Sequence, residues 1–305
     1  MKTDSLALST SWKALQYSRA KDIIVEIKAL GFYQVELSFN LSRTLVEEMI
    51  NLKDQGLIEV VSVHNFCPVP CGIAREKALP DTFSLSAQNE QERKKAVAYT
   101  KESIDTASRI GAKAVVLHLG KVKIKERIKT LALYFLKNDS AKYNKLKIQM
   151  VKEREKKSKI FFEQALRSLE QLTEYAQTKN VKLGIENRYY FSEIPNIEEM
   201  EIILRRFSNS TLYYWHDVGH AQVYENLGIL KHRDILDKFS PRMLGIHLHD
   251  IEGIDDHRAP LEGKFDFTLL KPYVKENTLK VLEPHYPATK EQILRAKEYL
   301  EQLFR

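Results

Sequence analysis

One stretch near the end of the chain joins a strand-like apolar run to a dense group of metal-binding side chains. Residues 244–267 read LGIHLHDIEGIDDHRAPLEGKFDF and carry the polar groups of His247, His249, Asp250, Asp255, Asp256 and His257. Imidazole nitrogens and carboxylate oxygens are the ligands of borderline divalent ions such as Zn²⁺. His247 and His249 point to the same side of a strand because side chains alternate with a period of two. The stretch therefore predicts either a metal site or a polar loop after a strand.

The same pattern recurs along the chain, and this recurrence favours the metal site. Ligand-type residues stand at or just beyond the ends of six apolar runs: His64, His118, Glu186, Asp217 with His220, His247 with Asp255 and His257, and Glu283. Five imidazoles and four carboxylates brought together suit a site for two or three metal ions. The remaining histidines that follow strands or lie in helices are interpreted as structural: His216, His232, His249 and His285.

The segments that carry these residues alternate between strand-like and helical patterns. Strands are predicted at residues 6–8, 34–38, 57–66, 113–120, 182–188, 212–216, from 244 onward, and at 279–285. Strict alternation predicts a parallel sheet, and eight units predict closure into a (β/α)₈ TIM barrel of the α/β class. Right-handed crossovers then bring the carboxyl ends of all strands to one face. An open doubly wound sheet fits less well, because no glycine-rich fingerprint follows the first strand.

Length and composition agree with a single barrel domain spanning residues 1–305. The chain is 43% hydrophobic and 29% charged, which is ordinary for a globular protein. No apolar run approaches the roughly 18 residues of a membrane span, and the N-terminus lacks the build of a signal peptide. Cys67 and Cys71 are the only cysteines and are interpreted as ordinary thiols. A cytoplasmic protein without a membrane partner is expected.

The positive charge is concentrated in one segment after the fourth strand. Residues 121–159 hold 14 Lys or Arg and 4 Asp or Glu, a net charge of +10, whereas the whole chain carries +7. Interleaved apolar positions predict a helical insertion at about 121–157 on the active-site face. It could cover the pocket or dock against a neighbouring subunit through Leu131, Tyr134 and Phe135. Alternatively, its charge could track a nucleic-acid backbone.

Five short motifs give the chain a family likeness over essentially its whole length. They are GIEN at 184–187, HDVGH at 216–220, HLHD at 247–250, DDH at 255–257 and LEPH at 282–285. With these motifs the sequence resembles the xylose isomerase-like TIM-barrel superfamily, which contains sugar isomerases and epimerases and also endonuclease IV-like proteins.

The resemblance to the epimerase branch implies one divalent metal, typically Mn, held by four residues; for this chain Mn or Zn is expected, with Co and Mg as alternatives. The matching positions are Glu186, Asp217, His247 and Glu283. In that branch the two glutamates also act as the acid/base pair on opposite faces of a carbohydrate, with a metal-stabilised enediolate between them. His220 matches a substrate-contacting histidine. The branch has an arginine six residues after its strand-seven histidine, where this chain has Gly253, so the substrate contacts must differ.

The resemblance to the endonuclease IV branch implies three zinc ions and cleavage of DNA at abasic sites. All nine ligand positions of that branch have counterparts here, which adds His64, His118, His220, Asp255 and His257 to the four above. The surroundings differ, because Leu119 replaces a proline and HDIE replaces that branch's Asn-Asp-Ser-Lys. The sequence therefore favours a carbohydrate isomerase or epimerase over a nuclease. The pair Glu186 and Glu283 argues against a binding protein without turnover. Substrate identity and oligomeric state stay open.

Overall fold

The computed structural model describes residues 6–305 as a closed barrel surrounded by helices. The eight parallel strands are β1 (Leu6–Ser9), β2 (Gln34–Leu37), β3 (Glu59–His64), β4 (Ala114–Leu117), β5 (Lys182–Glu186), β6 (Leu212–Asp217), β7 (Met243–Leu248) and β8 (Leu279–Leu282). Each strand pairs with its neighbours in sequence, and β1 closes the barrel on β8. The predicted (β/α)₈ fold is confirmed.

The helices lie outside the barrel. They are α1 (Ala20–Ala29), α2 (Arg43–Asp54), α3 (Glu90–Ile110), α4 (Ile128–Leu136), α5 (Ser140–Thr178), α6 (Ile197–Arg206), α7 (Val218–Asn226), α8 (His232–Phe239) and α9 (Lys290–Leu303). Local sequence signals fix several of their ends. The side chain of Ser42 accepts a hydrogen bond from the backbone of Leu45 at the start of α2, and Asn196 with Glu199 forms a capping box at α6.

The sequence pattern also predicts helices at 158–179, 228–239 and 267–274. The structure differs from all three in extent, with α8 beginning at His232, and it contains one helix, α7, that was missed. Helix α5 runs without a break through the 158–179 helix and 18 residues beyond its predicted start, because no breaker interrupts residues 140–157. The short helix expected at 267–274 is a single 3₁₀ turn, Phe267–Leu270. Helix α7 was missed because Val218 to Ala221 are all buried, so the segment lacks the polar face that reveals an amphipathic helix.

A tryptophan fills the centre of the barrel and supports the site above it. Trp215 of β6 is fully buried among small and branched residues of neighbouring strands. A Cβ at Gly184 would lie 2.8 Å from the indole, and one at Gly245 would lie 2.3 Å away, so both positions require glycine. The indole packs edge-on to the imidazole of His247, with ring centroids 5.1 Å apart. The indole of Trp215, which forms the floor of the barrel, thereby limits how deeply the imidazole of His247 can lie in the barrel.

The basic segment forms α4 and the N-terminal part of α5, which pack against the carboxyl-terminal face of the barrel. Arg154 of α5 is buried and bonds both carboxylate oxygens of Glu199 and the backbone carbonyls of Phe191 and Glu193. The hydroxyl of Tyr143 donates to the carbonyl of Leu227. The segment is therefore structured and attached to the β5–α6 and α7–α8 loops.

Two further features of the described residues are the state of the cysteines and the character of the helices. Cys67 is buried and Cys71 is exposed, and the two thiols are free, as predicted. Among residues 6–305, none of the helices combines the length and apolarity needed to cross a lipid bilayer.

Candidate metal centre

Four ligand-type side chains from consecutive strands meet at the carboxyl end of the barrel. Glu186, Asp217, His247 and Glu283 come from or follow β5, β6, β7 and β8, and each offers one ligand atom within 4.8 Å of the others. The Nδ1 atom of His247 lies 2.6 Å from Glu186 Oε1, 3.1 Å from Glu283 Oε2 and 3.8 Å from Asp217 Oδ2. These are the four residues for which the sequence predicts metal binding.

A fourth carboxylate, which sequence reasoning missed, lies beneath this group. Glu36 of β2 is fully buried, and the Nε2 atom of His247 lies 3.2 Å from each of its carboxylate oxygens. Ser62 donates to the same carboxylate at 2.7 Å, and Ser9 donates at 3.3 Å. This contact leaves Nδ1 of His247 directed at the other carboxylates and fixes the ring's orientation. The only sequence signal for this role was a single acidic residue, Glu36, within the otherwise uncharged strand segment QVEL at 34–37.

The charges of this group suit a bound cation. Burial, together with the carboxylates of Glu36, Glu186 and Asp217, raises the pKa of Glu283 to about 8. Burial also favours a neutral Glu186, but the imidazoles of His118 and His247 outweigh it and hold the pKa of that carboxyl well below its usual range. Four buried acids around one imidazole are compensated by a divalent ion better than by protons. The hard oxygen donors and one nitrogen fit Mn²⁺, Zn²⁺, Co²⁺ or Mg²⁺.

Asp217 is held from its far side by a histidine that the sequence analysis interpreted as structural. The Nε2 atom of His249 lies 3.0 and 2.9 Å from the two oxygens of Asp217, and its Nδ1 accepts the backbone N–H of His257 at 2.9 Å. The hydrogen of the neutral ring therefore points at Asp217. A Cβ at Gly219 would lie 2.2 Å from this imidazole, which explains the glycine in HDVGH.

A second group adjoins the first and shares Glu186 with it. The Nε2 atom of His118 lies 2.5 Å from Glu186 Oε2, and the rings of His118 and His64 pack edge to face at 5.0 Å. His64, His118 and Glu186 also satisfy the geometry of a metal-binding trio. Arg188, which the sequence analysis did not single out, donates to Glu186 at 2.9 Å and to Glu193 at 2.5 Å. It provides a fixed positive charge beside the metal centre.

A third group comes from the loops around α7 and β7. His220, Asp256 and His257 offer ligand atoms within 4.8 Å of one another. Asp255 is predicted from the sequence for this position, whereas the ligand-type atoms that the structure brings together include those of Asp256. The carboxylate of Asp255 is 71% exposed and pairs with Arg258 at 2.7 Å, whereas the hairpin formed by Asp250–Glu252 and Asp255–Arg258 turns Asp256 inward. Both aspartates line the cavity at the barrel mouth, and spacing alone did not reveal which of them lies beside His220 and His257.

Members of all three groups line one open cavity of about 520 Å³ at the barrel mouth, whereas Asp217 and His247 lie fully buried below its surface. Its polar wall contains the predicted residues His64, His118, Glu186, His220, Asp255, His257 and Glu283. His285, interpreted from sequence as structural, also lines it, and its ring stacks on that of His257 with centroids 3.8 Å apart. Lys129 of α4 and Tyr190 complete the rim, so the basic insertion forms part of the entrance.

Two other histidines lie behind the site rather than in it. His216 and His232 are buried, and their Nε2 atoms are 2.9 Å apart. The Nδ1 atom of His216 lies 2.7 Å from the hydroxyl of Tyr214, which bonds Asn187. Asn187 in turn accepts the backbone N–H of Asp217. The structural interpretation of these two histidines agrees with this placement.

The chain matches the family model described as the xylose isomerase-like TIM barrel over residues 24–303. The protein belongs to this family. The match covers the strands and loops that carry all the groups described above.

Solved structures of this fold superimpose over nearly the whole chain. A D-tagatose 3-epimerase-like protein is 18% identical, with 98% of this chain and 96% of that chain covered and a TM-score of 0.66. The 3-keto-D-glucoside 4-epimerase of E. coli is 12% identical, with coverage of 98% and 99% and a TM-score of 0.67. A protein named IOLI, solved with a bound zinc atom, is 14% identical, with coverage of 98% and 97% and a TM-score of 0.66.

One curated relative matches in part. The uncharacterized protein y4fM of Sinorhizobium fredii is 22% identical over 182 residues, or 59% of this chain. The chain spans about half of that relative's length, because the match covers 49% of it.

Proposed function

We propose that the protein is a divalent-metal-dependent isomerase or epimerase acting on a sugar or a sugar-like keto compound. The observation that carries the proposal is the meeting of Glu186, Asp217, His247 and Glu283 at the barrel mouth. The structural neighbours of the chain include a D-tagatose 3-epimerase-like protein and a 3-keto-D-glucoside 4-epimerase, which supports it. A divalent ion held there would polarise the substrate's oxygens and stabilise the negative charge that develops when a carbon-bound proton is removed. Within the proposal the substrate is a small carbohydrate.

The chain's own residues supply the proton transfers in this proposal. Glu186 is the base, because its carboxylate is kept ionised by two imidazoles. Glu283 supplies the second carboxylate, which would take or return the proton on the opposite face of the substrate. Arg188 keeps Glu186 in place through its 2.9 Å hydrogen bond, and His220 lines the cavity as a substrate contact. Gly253 offers no side chain for the arginine contact of the epimerase branch, so Lys129 and Tyr190 at the rim are the proposed alternatives.

A multi-zinc phosphodiesterase is the second candidate. The observation that favours it is the pair of further trios, His64–His118–Glu186 and His220–Asp256–His257, which would give the centre three metal-binding positions. The basic segment beside the mouth would agree with a nucleic-acid substrate.

The test combines metal analysis with two assays. Purified protein is analysed for bound metal and assayed on a panel of ketoses in D₂O, where removal and return of a proton introduces deuterium. The same samples are titrated with duplex DNA that contains abasic sites, at several salt concentrations. One bound ion with deuterium exchange supports the isomerase. Three zinc ions with DNA cleavage and a steep salt dependence would overturn it in favour of the nuclease.

A further inference from the structure

A second cavity lies behind the metal centre, between the β5–α6 loop and helices α5, α7 and α8. Its volume is about 250 Å³. It shares three lining residues with the mouth cavity, Arg188, Glu193 and His220, and the Arg188–Glu193 ion pair lies in this common wall. The two spaces are thus neighbours that contact opposite sides of the same side chains.

The wall of this rear cavity is mainly apolar. Most of its side chains are hydrocarbon or aromatic: Val151, Phe191, Pro195, Ile197, Met200, Ala221, Ile229, Leu230, Ile235 and Phe239. An apolar cavity of about 150 Å³ is large enough to bind benzene, so this one accommodates a substituted six-membered ring. The guanidinium groups of Arg154 and Arg188 in the lining are already paired with Glu199 and Glu193. The exposed carboxylates of Glu155 and Glu198 add negative charge, which disfavours an anionic ligand.

Two polar groups of this lining lack a hydrogen-bond partner among the described residues: the buried Nε of Arg188 and the hydroxyl of Tyr224. The hydroxyl of Tyr224 lines the cavity and finds no hydrogen-bond partner in the part of the chain that the structure describes, and burial raises the pKa of the phenol. It is therefore a neutral donor and acceptor. A hydroxyl enclosed by apolar side chains gains from a ligand that carries one matching polar atom.

The basic insertion builds the outer side of this cavity. Val151, Arg154 and Glu155 all belong to the N-terminal part of α5, which lies within the predicted insertion. Arg154 anchors this part of the helix through two bonds to Glu199 and two to backbone carbonyls of the β5–α6 loop. The cavity is consequently bounded by rigid, buried contacts rather than by a loose surface segment.

We propose that the rear cavity is a second ligand site for a small neutral ring molecule with one hydroxyl or carbonyl group, which bonds Tyr224. The ligand would contact the rear of Arg188 and His220 and so lie directly behind the metal centre. The site does not depend on the proposed sugar chemistry, because its lining and the Tyr224 hydroxyl are defined without the metal.

The probes for the test are 4-bromophenol and bromobenzene. Crystals are soaked in each, bromine is located by anomalous scattering, and affinity is measured by calorimetry. Bromine is expected in the rear cavity, with the phenol oxygen within hydrogen-bond distance of Tyr224. Val151→Trp should fill the space and weaken 4-bromophenol binding at least about tenfold, while Val151→Ala, the matched control, keeps it. Tyr224→Phe should weaken 4-bromophenol roughly three- to tenfold and leave bromobenzene unchanged.

Circular dichroism and thermal melting establish that each variant is folded. Equal affinity of wild type and folded Val151→Trp would overturn the proposal, as would bromine found only at the metal centre or nowhere. The test measures binding and not turnover. Its result can therefore be interpreted even if the protein is inactive or catalyses a different reaction. Failure of the isomerase assay and failure of this site are thus distinguishable.

Discussion

The two sides of the barrel mouth differ in how their ligand groups are supported. On one side, Glu186, Asp217 and His247 lie on barrel strands and are at most 1% exposed. On the other, the side chains of Asp256 and His257 lie on a hairpin and are 22% and 19% exposed. Strand pairing and the Trp215 floor fix the first set, whereas the second set lies on the hairpin and is supported from outside it mainly by contacts of His257 with His249 and His285. We infer that the strand side holds the principal metal ion and that the hairpin side is adjustable.

The largest expected effect falls on the strand side. Under the proposed function, Glu186→Gln removes the base and one metal ligand, so turnover should fall by roughly 10²- to 10⁴-fold. The matched control is Asp255→Asn, which changes an exposed carboxylate of the hairpin that already pairs with Arg258. Its activity should stay close to that of wild type. Similar losses in both variants, measured by deuterium exchange with the identified ketose, would remove the distinction between the two sides.

The next effect concerns the carboxylate beneath the strand side. Glu36→Gln replaces the charged partner of His247 Nε2 with a neutral amide, so affinity for Mn²⁺ should fall roughly 10- to 100-fold. Calorimetric titration of a folded variant measures this loss. Ser62→Ala, which removes only one hydrogen bond to the same carboxylate, is the control and should lose less. Unchanged metal affinity in Glu36→Gln would show that His247 is oriented without it.

The affinity for metal should also depend on pH. Glu283, with its pKa raised to about 8, is protonated in the metal-free protein at pH 7 and must release that proton when an ion binds. Burial lowers the pKa of His247, the histidine ligand, but the surrounding carboxylates outweigh burial and raise it well above its usual value, so this group too must lose a proton to bind the ion. The apparent affinity should therefore rise with pH, by about tenfold per unit for each proton released, through pH 8. Titrations in buffers of different ionisation enthalpy count the protons released. No proton release at pH 7 would contradict this assignment of charge.

The smallest effect is expected on the hairpin side. Asp256→Asn keeps the size of the side chain and removes one charge from the third group, so turnover should fall by less than about tenfold with the principal metal retained. Metal content and steady-state rates of the same preparation measure both quantities. A loss of the bound ion in this variant would place the principal site on the hairpin instead.

The same contrast explains what could be predicted from the sequence. Ligands at the ends of strands were found because the barrel brings those ends together, so Glu186, Asp217 and His247 needed no knowledge of the loops. Asp255 was named in place of Asp256 because the direction of a side chain in a hairpin depends on local turns. Glu36 was overlooked because its role arises from contacts with β3 and β7. The rear cavity could not be predicted, because it forms where α5 packs beside the β5–α6 loop, and no sequence motif indicates that packing.

The most direct test of the central claim is a structure of the protein crystallised with Mn²⁺ and measured at the manganese absorption edge. The account predicts a strong anomalous peak within roughly 2.0–2.6 Å of ligand atoms from Glu186, Asp217, His247 and Glu283, with Nδ1 as the histidine ligand. A peak bound by His220, Asp256 and His257 alone, or a folded protein without any peak at the barrel mouth, would contradict it.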